Sequence, residues 1–252
     1  MGRRTAIVVG ATGFTGRLLV KQLCESEEYV SVSVIARRDI SYKHPKLEVK
    51  IKDFDMLEEK DLEIAEDLFC CLGTTMKIAQ TRKNFEKVDL MYPLQIASLA
   101  KKRGIHHMLV ISAAGASMKS PFFYSRIKAG MEQQLIELNL PQLSIFRPSL
   151  LTGHRKEFRL GERLAEGVFQ LLNPILVGPL KRFRSIDGKQ LAYAMIHFAV
   201  WANKNKVTIY KSFDILKAKP VIEVEEQPIS REELFNWEKR KDIFVENEEI
   251  DK

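Results

Sequence analysis

Several residues in this chain have types and spacings that could do chemistry. Gly10-Ala-Thr-Gly13-Phe-Thr-Gly16 repeats glycine every third residue. Such a turn is tight, lets backbone N–H groups approach a pyrophosphate, and gains partial positive charge when a helix starts there. Thr12, Phe14 and Thr15 lie in the same turn and are candidates for the same cradle. Tyr124 and Lys128 are spaced i and i+4, so on a helix a phenol and an ammonium group share one face. Ser112 precedes them and could bring a hydroxyl to the same reacting oxygen. Arg37 and Arg38 are adjacent guanidinium groups, matched to a phosphate in geometry and charge.

These residues need a frame. Residues 6–9 are an apolar run that ends at the glycine turn, and 14–24 have helical spacing through Leu18, Leu19 and Leu23. Strand signals follow at 30–35, 47–51, 67–72, 107–111 and 143–146. Helical signals lie between them at 85–103, kinked at Pro93, and at 124–138. Strands alternating with helices predict βαβ units and an α/β fold, a doubly wound parallel sheet of the Rossmann type. The strand–turn–helix setting turns the glycine pattern from a weak signal into a strong one. An NAD-specific fold places an acid at the end of the second strand, about 20 residues past the glycines, to bind the ribose 2′-OH. Here that strand ends in Ala36-Arg37-Arg38, which predicts NADP(H) over NAD(H). Beyond Pro148 the rhythm changes, with helices expected at 161–172 and 187–201 and a strand at 208–210. A capping box at Ser230 opens a further helix to 241. The expected organisation is a nucleotide-binding domain over 1–217, with a small substrate-side cap from 149, then an acidic extension over 218–252.

The glycine spacing is Gly-x-x-Gly-x-x-Gly, not Gly-x-Gly-x-x-Gly, and resembles the extended and atypical short-chain dehydrogenase/reductases. Five stretches narrow the likeness: Gly10 to Gly16, Cys71-Leu-Gly-Thr-Thr75, Ser112 with Gly115-Ala116 behind it, Tyr124 to Lys128, and Phe146-Arg-Pro148 followed by Leu150-Leu151. Over residues 5–215 the chain resembles the Tat-interacting protein 2 family of atypical short-chain reductases. The resemblance implies a cytoplasmic, NADPH-bound Rossmann fold with Ser112, Tyr124 and Lys128 as a catalytic triad. It also implies Asp53 and Phe54 near the adenine, Leu72, Gly73 and Thr74 along the cofactor, and Pro148 beside the nicotinamide. In that triad hydride passes between the nicotinamide and a carbonyl or alcohol. Tyr124 donates the proton, Ser112 binds the carbonyl oxygen, and Lys128 favours the phenolate and holds the ribose hydroxyls. The sequence departs from the family at Ala113, where a second Ser is common, and in the acidic tail. Eukaryotic members are discussed as regulators as much as enzymes. The alternative is therefore an NADPH-binding redox-sensing protein with little turnover, which would have less use for an intact Tyr-x-x-x-Lys.

Composition bounds the rest. At 252 residues and 45% hydrophobic, the chain can bury a core, which excludes disordered and collagen-like classes. The net charge of +7 is the balance of −6 on residues 220–252 and +13 on the body. The basic excess is spread out and lacks interleaved aromatics, so it reads as solvated surface and an anion site, not a nucleic-acid face. Cys24, Cys70 and Cys71 have no metal-ligand spacing, so no metal is expected and a reducing compartment fits. No 18-residue apolar run suggests a transmembrane segment, and the first apolar stretch is too short for a signal peptide. A cytoplasmic location is expected. The apolar stretch over 164–177 could line a cleft for a lipophilic carbonyl substrate, pack in the core or form a homodimer face. His106 and His107 read as surface or strand-end residues, and His154 and Arg155 as candidates near a substrate carboxylate or the cofactor.

Overall fold

The computed structural model describes residues 4–152, 185–201 and 205–218. The apolar runs form β1 (Arg4–Val9), β2 (Tyr29–Ala36), β3 (Leu47–Ile51), β4 (Asp67–Cys70), β5 (His107–Ile111) and β6 (Gln142–Arg147). A short pair, β7 (Leu151–Thr152) and β8 (Ile186–Asp187), stands apart, and β9 (Val207–Lys211) returns to the main sheet. The seven-stranded order is β3-β2-β1-β4-β5-β6-β9, and every pairing is parallel. Parallel strands are covered on both faces, so they read as unbroken apolar runs. In β1, Ala6 and Val8 enter one core and Ile7 and Val9 the other.

α1 (Phe14–Glu25) and the helix Gly188–Trp201 supply Leu19, Val20, Leu23, Leu191 and Met195 to the first core. α4 (Tyr92–Lys102) and α5 (Phe123–Glu137) supply Ile96, Ala97, Met131 and Leu135 to the second. Cys70 and Cys71 point to opposite faces as expected, one into each core. The strand order runs outward in both directions from β1 and β4. The cleft at their carboxyl ends is the switch point where such sheets bind ligands.

The helix expected over 85–103 is present, with helical backbone at the junctions Glu86, Lys87, Met91 and Tyr92, and it carries a π-helical turn just before Pro93. α2 (Met76–Ala79) and α3 (Arg82–Glu86) come first, then a π-helical turn, Lys87–Met91, leads into α4. Proline lacks the N–H that an uninterrupted helix needs. The widened turn, in which the Tyr92 N–H returns to the Lys87 carbonyl, precedes Pro93, which falls in the first turn of α4. The short helix Ser212–Lys217 after β9 was not anticipated. The helices expected at 161–172 and 230–241, the apolar stretch 164–177, and His154 and Arg155 lie outside the described residues.

At the amino end of the sheet a buried polar network joins five strands, β1, β2, β4, β5 and β6. Asp67, at the start of β4, accepts from Arg4 Nε and Nη2 at 2.6 and 2.7 Å and from the Tyr29 hydroxyl at 2.7 Å. His107 Nδ1 lies 3.3 Å from the same carboxylate, and its Nε2 lies 2.8 Å from Ser144 Oγ. His107 is thus a strand-end residue, as one of the two expectations had it, and a buried link in this network, not an exposed one. Burial alone would raise the Asp67 pKa, but the bonds from His107, Arg4 and Tyr29 hold it below its ordinary value. A lowered carboxylate pKa stabilises the fold above the unfolded value, and that contribution is lost as pH falls through the folded one. Asp67→Ala strands the Arg4 guanidinium and should cost about 3–5 kcal/mol. Urea denaturation at neutral pH should show that loss, and the variant's stability should fall less steeply in acid than the parent's. Equal stability of variant and parent at neutral pH would contradict this account.

Candidate functional site

The glycine turn is held backbone against backbone. Gly10 has φ of +84°, and a Cβ there would lie 2.6 Å from the Cys71 carbonyl carbon and oxygen. A Cβ on Gly16 would lie 2.2 Å from the Gly10 carbonyl oxygen. The exit of β1, the start of α1 and the exit of β4 therefore meet with no side chain between them. Gly13 donates its N–H to the Gly10 carbonyl at 3.0 Å and caps α1 with no side chain of its own. No acidic residue lies in the first turn. The positive end of the helix is thus not neutralised by its own turn, which suits a bound pyrophosphate. Thr12 and Phe14 are half-buried and Thr15 is buried. The Phe14 ring fills the space beside Gly188, where a Cβ would lie 2.3 Å from it, so it also packs against the helix Gly188–Trp201.

One side of the cleft carries the second and third strand ends. Arg37 and Arg38 are exposed just beyond β2, and the Lys52 N–H bonds the Ala36 carbonyl at 2.8 Å beside them. Asp53 is exposed and caps a short turn, accepting the Asp55 N–H at 3.0 Å. Phe54 is buried against the Tyr92 ring, with centroids 5.3 Å apart. Asp55, which the sequence reading did not select, accepts from Lys87 Nζ at 2.6 Å and the Tyr92 hydroxyl at 3.1 Å. The Lys87 bond leads in holding its carboxyl below the ordinary range, and the Arg37 charge adds to it.

On the other side lie the ends of β4 and β5. Leu72 is buried, Gly73 is exposed and Thr74 is half-buried. Beneath them Lys128 Nζ sits 2.8 Å from Asp89 Oδ1, with the two side chains 4% and 1% exposed. Asp89 Oδ2 accepts the Thr74 N–H at 2.8 Å, and Lys128 Nζ donates to the Ile111 carbonyl at 3.4 Å. A Cβ on Gly73 would come within 3.5 Å of Asp89 Oδ1 and 3.9 Å of Lys128 Nζ, so the backbone there passes close over the pair. Burial is the largest single influence on Lys128 and pulls its pKa down, but the Asp89 charge and hydrogen bond, together with Tyr124 and Cys70, leave it above its ordinary value. The ammonium form therefore persists in the interior. Tyr124 is half-buried one turn earlier on α5, edge-on to Phe85 at 5.9 Å. Asp89 was also missed by sequence reading; it lies in the π turn, which no periodicity announced.

Ser112 follows β5, as expected, and is buried. Its hydroxyl is donated to Oε1 of Glu132, one turn past Lys128 on α5. Arg147, the last residue of β6, forks onto the same carboxylate: Nε lies 2.9 and 3.1 Å from its two oxygens, and Nη2 also bonds Oε2. Pro148 is buried, and its carbonyl accepts the Ala114 N–H at 2.9 Å. The structure thus places Ser112 just beyond β5, with its proton turned toward Glu132, and Tyr124 and Lys128 one turn apart on α5.

Comparison with known proteins agrees with this geometry. Residues 10–152 match a family described as NAD(P)H-binding. The chain is 34% identical over 174 residues to Protein HTATIP2 of Rattus norvegicus, covering 67% of this chain and 72% of that protein. It is 30% identical over 181 residues to Protein FMP52-1, mitochondrial, of Scheffersomyces stipitis, covering 70% and 76%. Among solved structures, MoeE5 in complex with UDP-glucose and NAD aligns with a TM-score of 0.62 at 15% identity, covering 83% of this chain and 76% of that one. The oxidoreductase ylbE from Lactococcus lactis aligns at 0.51 and 20%, covering 60% and 71%. At those identities the likeness shows the fold alone. The expectation of a cytoplasmic location is overturned, because relatives from Scheffersomyces stipitis, Debaryomyces hansenii, Eremothecium gossypii and Candida albicans are named mitochondrial. The extent of the family match and of the HTATIP2 likeness places the chain in the NAD(P)-binding, atypical short-chain dehydrogenase/reductase family that includes HTATIP2 and FMP52.

Proposed function

We propose that this chain is an NADP(H)-dependent oxidoreductase that moves hydride between the nicotinamide and a carbonyl or alcohol substrate, with Tyr124 and Lys128 as its central pair. The observation that carries this reading is the buried Lys128 ammonium, held by Asp89 beneath Gly73 at the carboxyl ends of β4 and β5. Residues 10–16 would hold the pyrophosphate, and Arg37 and Arg38 a 2′-phosphate. Asp53 and Phe54 would border the adenine, and Leu72, Gly73, Thr74 and Pro148 the nicotinamide half. The cofactor, when bound, supplies or accepts the hydride. Tyr124 gives its proton to the oxygen that gains charge, and Lys128 holds the ribose hydroxyls and favours the phenolate left behind. Ser112, whose hydroxyl is donated to Glu132, would support this pair from the end of β5 and not by giving a proton to the reacting oxygen.

Met76 and Ile78, on α2 beyond β4, and Met118 and Phe122, on the loop beyond β5, are exposed at this end of the sheet. They support an apolar substrate. A redox sensor without turnover would use the same cradle but would give Tyr124 no task. The names of the fungal relatives support a mitochondrial location.

Fluorescence titration should show NADPH binding at least about tenfold tighter than NADH, a difference of about 1.4 kcal/mol. Replacing Arg37 and Arg38 with Ala should erase that preference; equal affinities in the parent protein reject the NADP(H) assignment. Tyr124→Phe should leave the NADPH dissociation constant nearly unchanged and slow NADPH oxidation by a carbonyl probe such as phenanthrenequinone by about 10²–10⁴-fold. Undiminished turnover in that variant removes Tyr124 from the chemistry. Gly16→Ala forces the turn apart and should abolish NADPH binding; retention of parental affinity means that the turn is not the cradle.

A further inference from the structure

α5 buries two opposite charges one turn apart, Lys128 and Glu132, and each is paired with a different part of the fold. Lys128 meets Asp89 in the π turn; Glu132 meets Arg147 at the end of β6 and Ser112 beyond β5. A carboxylate in this place is costly. Burying it consumes solvation that an apolar residue would not lose, and well-packed apolar groups often replace buried ion pairs at no loss of stability. Apolar contacts from Met131 and Leu135 already seat the helix on the sheet. What such contacts do not fix is its rotation and its slide along the strands, because they have no direction. The fork from Arg147 and the bond from Ser112 do have direction.

Both strand ends are themselves fastened at the same level. The Ser112 N–H bonds the Phe146 carbonyl at 2.7 Å, and the Ala114 N–H bonds the Pro148 carbonyl at 2.9 Å. Glu132 therefore joins α5 to a rigid edge one turn from Lys128. Left unpaired, Glu132 would also lie within an i,i+4 reach of Lys128 and compete for its ammonium; Arg147 removes that competition.

We propose that Glu132 is a positioning residue: its carboxylate, gripped by Arg147 and Ser112, sets the register of α5 so that Lys128 presents its ammonium to the cofactor's ribose. Ser112 then serves as part of this anchor, with its proton committed to Glu132. The inference rests on the reading of Lys128 as a cofactor-binding residue.

The test is a double-mutant cycle on NADPH affinity in the full chain, read by fluorescence with no need for turnover. Lys128 is removed together with its partner, as Lys128→Met with Asp89→Leu, so that no buried charge is left alone. That pair should raise the NADPH dissociation constant at least about tenfold, and Glu132→Gln alone about fivefold. Adding Glu132→Gln to the paired replacement should change affinity by less than about twofold, because a residue that acts through Lys128 has nothing left to position. Ser112→Ala, a milder change that leaves the Arg147 fork in place, should raise the constant about two- to threefold alone and not at all in the paired background. It serves if Glu132→Gln fails to fold. A loss that merely loosens the structure multiplies with the paired replacement, and that result overturns the proposal. Unchanged affinity in both Glu132→Gln and Ser112→Ala, with a clear loss in the paired replacement, overturns it too while leaving the site reading intact. Parental affinity in the paired replacement brings down the site reading, and the inference with it.

Discussion

Burying an ammonium group costs several kcal/mol unless an opposite charge meets it in good geometry. Lys128 is buried this way, and much of the carboxyl end of the sheet is arranged to make it tolerable. Asp89 must come to it from another helix, which requires the π turn at 87–91 to carry a carboxylate inward. Asp89 then has a second oxygen to satisfy, and the Thr74 N–H does so, which draws the loop after β4 over the pair. That loop must carry Gly73 close to both side chains. One buried charge thus couples α5, the entry to α4 and the exit of β4.

The second constraint is purely steric. Gly10 and Gly16 let β1, α1 and the exit of β4 touch through their backbones, and any Cβ at either position meets a carbonyl. This contact fixes the crossover between β1 and β4, and so the mouth of the cleft. Its neighbour across the cleft is the same β4 exit loop that covers Lys128. The glycine turn and the buried ammonium are therefore built against one short segment, 71–74. The spacing between them is set by the fold and owes little to flexible side chains.

Much of this was legible in the sequence because it is local. The strands at 47–51 and 107–111 have the bounds their apolar runs announced, and the other strands of the sheet differ by one or two residues at their ends. The glycine turn and the Tyr124–Lys128 spacing are likewise short-range patterns. What escaped is what depends on distant partners. Asp89, Asp55 and Glu132 look like ordinary helix or loop acids until the fold brings Lys128, Lys87 and Arg147 to them. The burial of His107 escaped because nothing nearby in sequence could offset it; Asp67 and Ser144 reach it from neighbouring strands. Pro93 was read as a kink within one helix, and the helix does depart from α geometry there, but as a π turn over Lys87–Met91. A rule based on 3.6-residue periodicity has no means of anticipating that extra residue.

The two ends of the sheet show how a buried charge that holds a fold differs from one that can bind. At the amino end Asp67 accepts from a forked guanidinium and a tyrosine, with His107 beside it, and all of its neighbours belong to the protein. Such a closed set rigidifies and offers nothing to a ligand. At the carboxyl end Glu132 is closed in the same way by Arg147 and Ser112. Lys128 is not. An ammonium has three donors, and among the described residues Asp89 and the Ile111 carbonyl take two of them. It is held in place, kept charged and left with a donor beneath an exposed glycine. Under the function proposed above, that third donor is the one a ribose hydroxyl would meet.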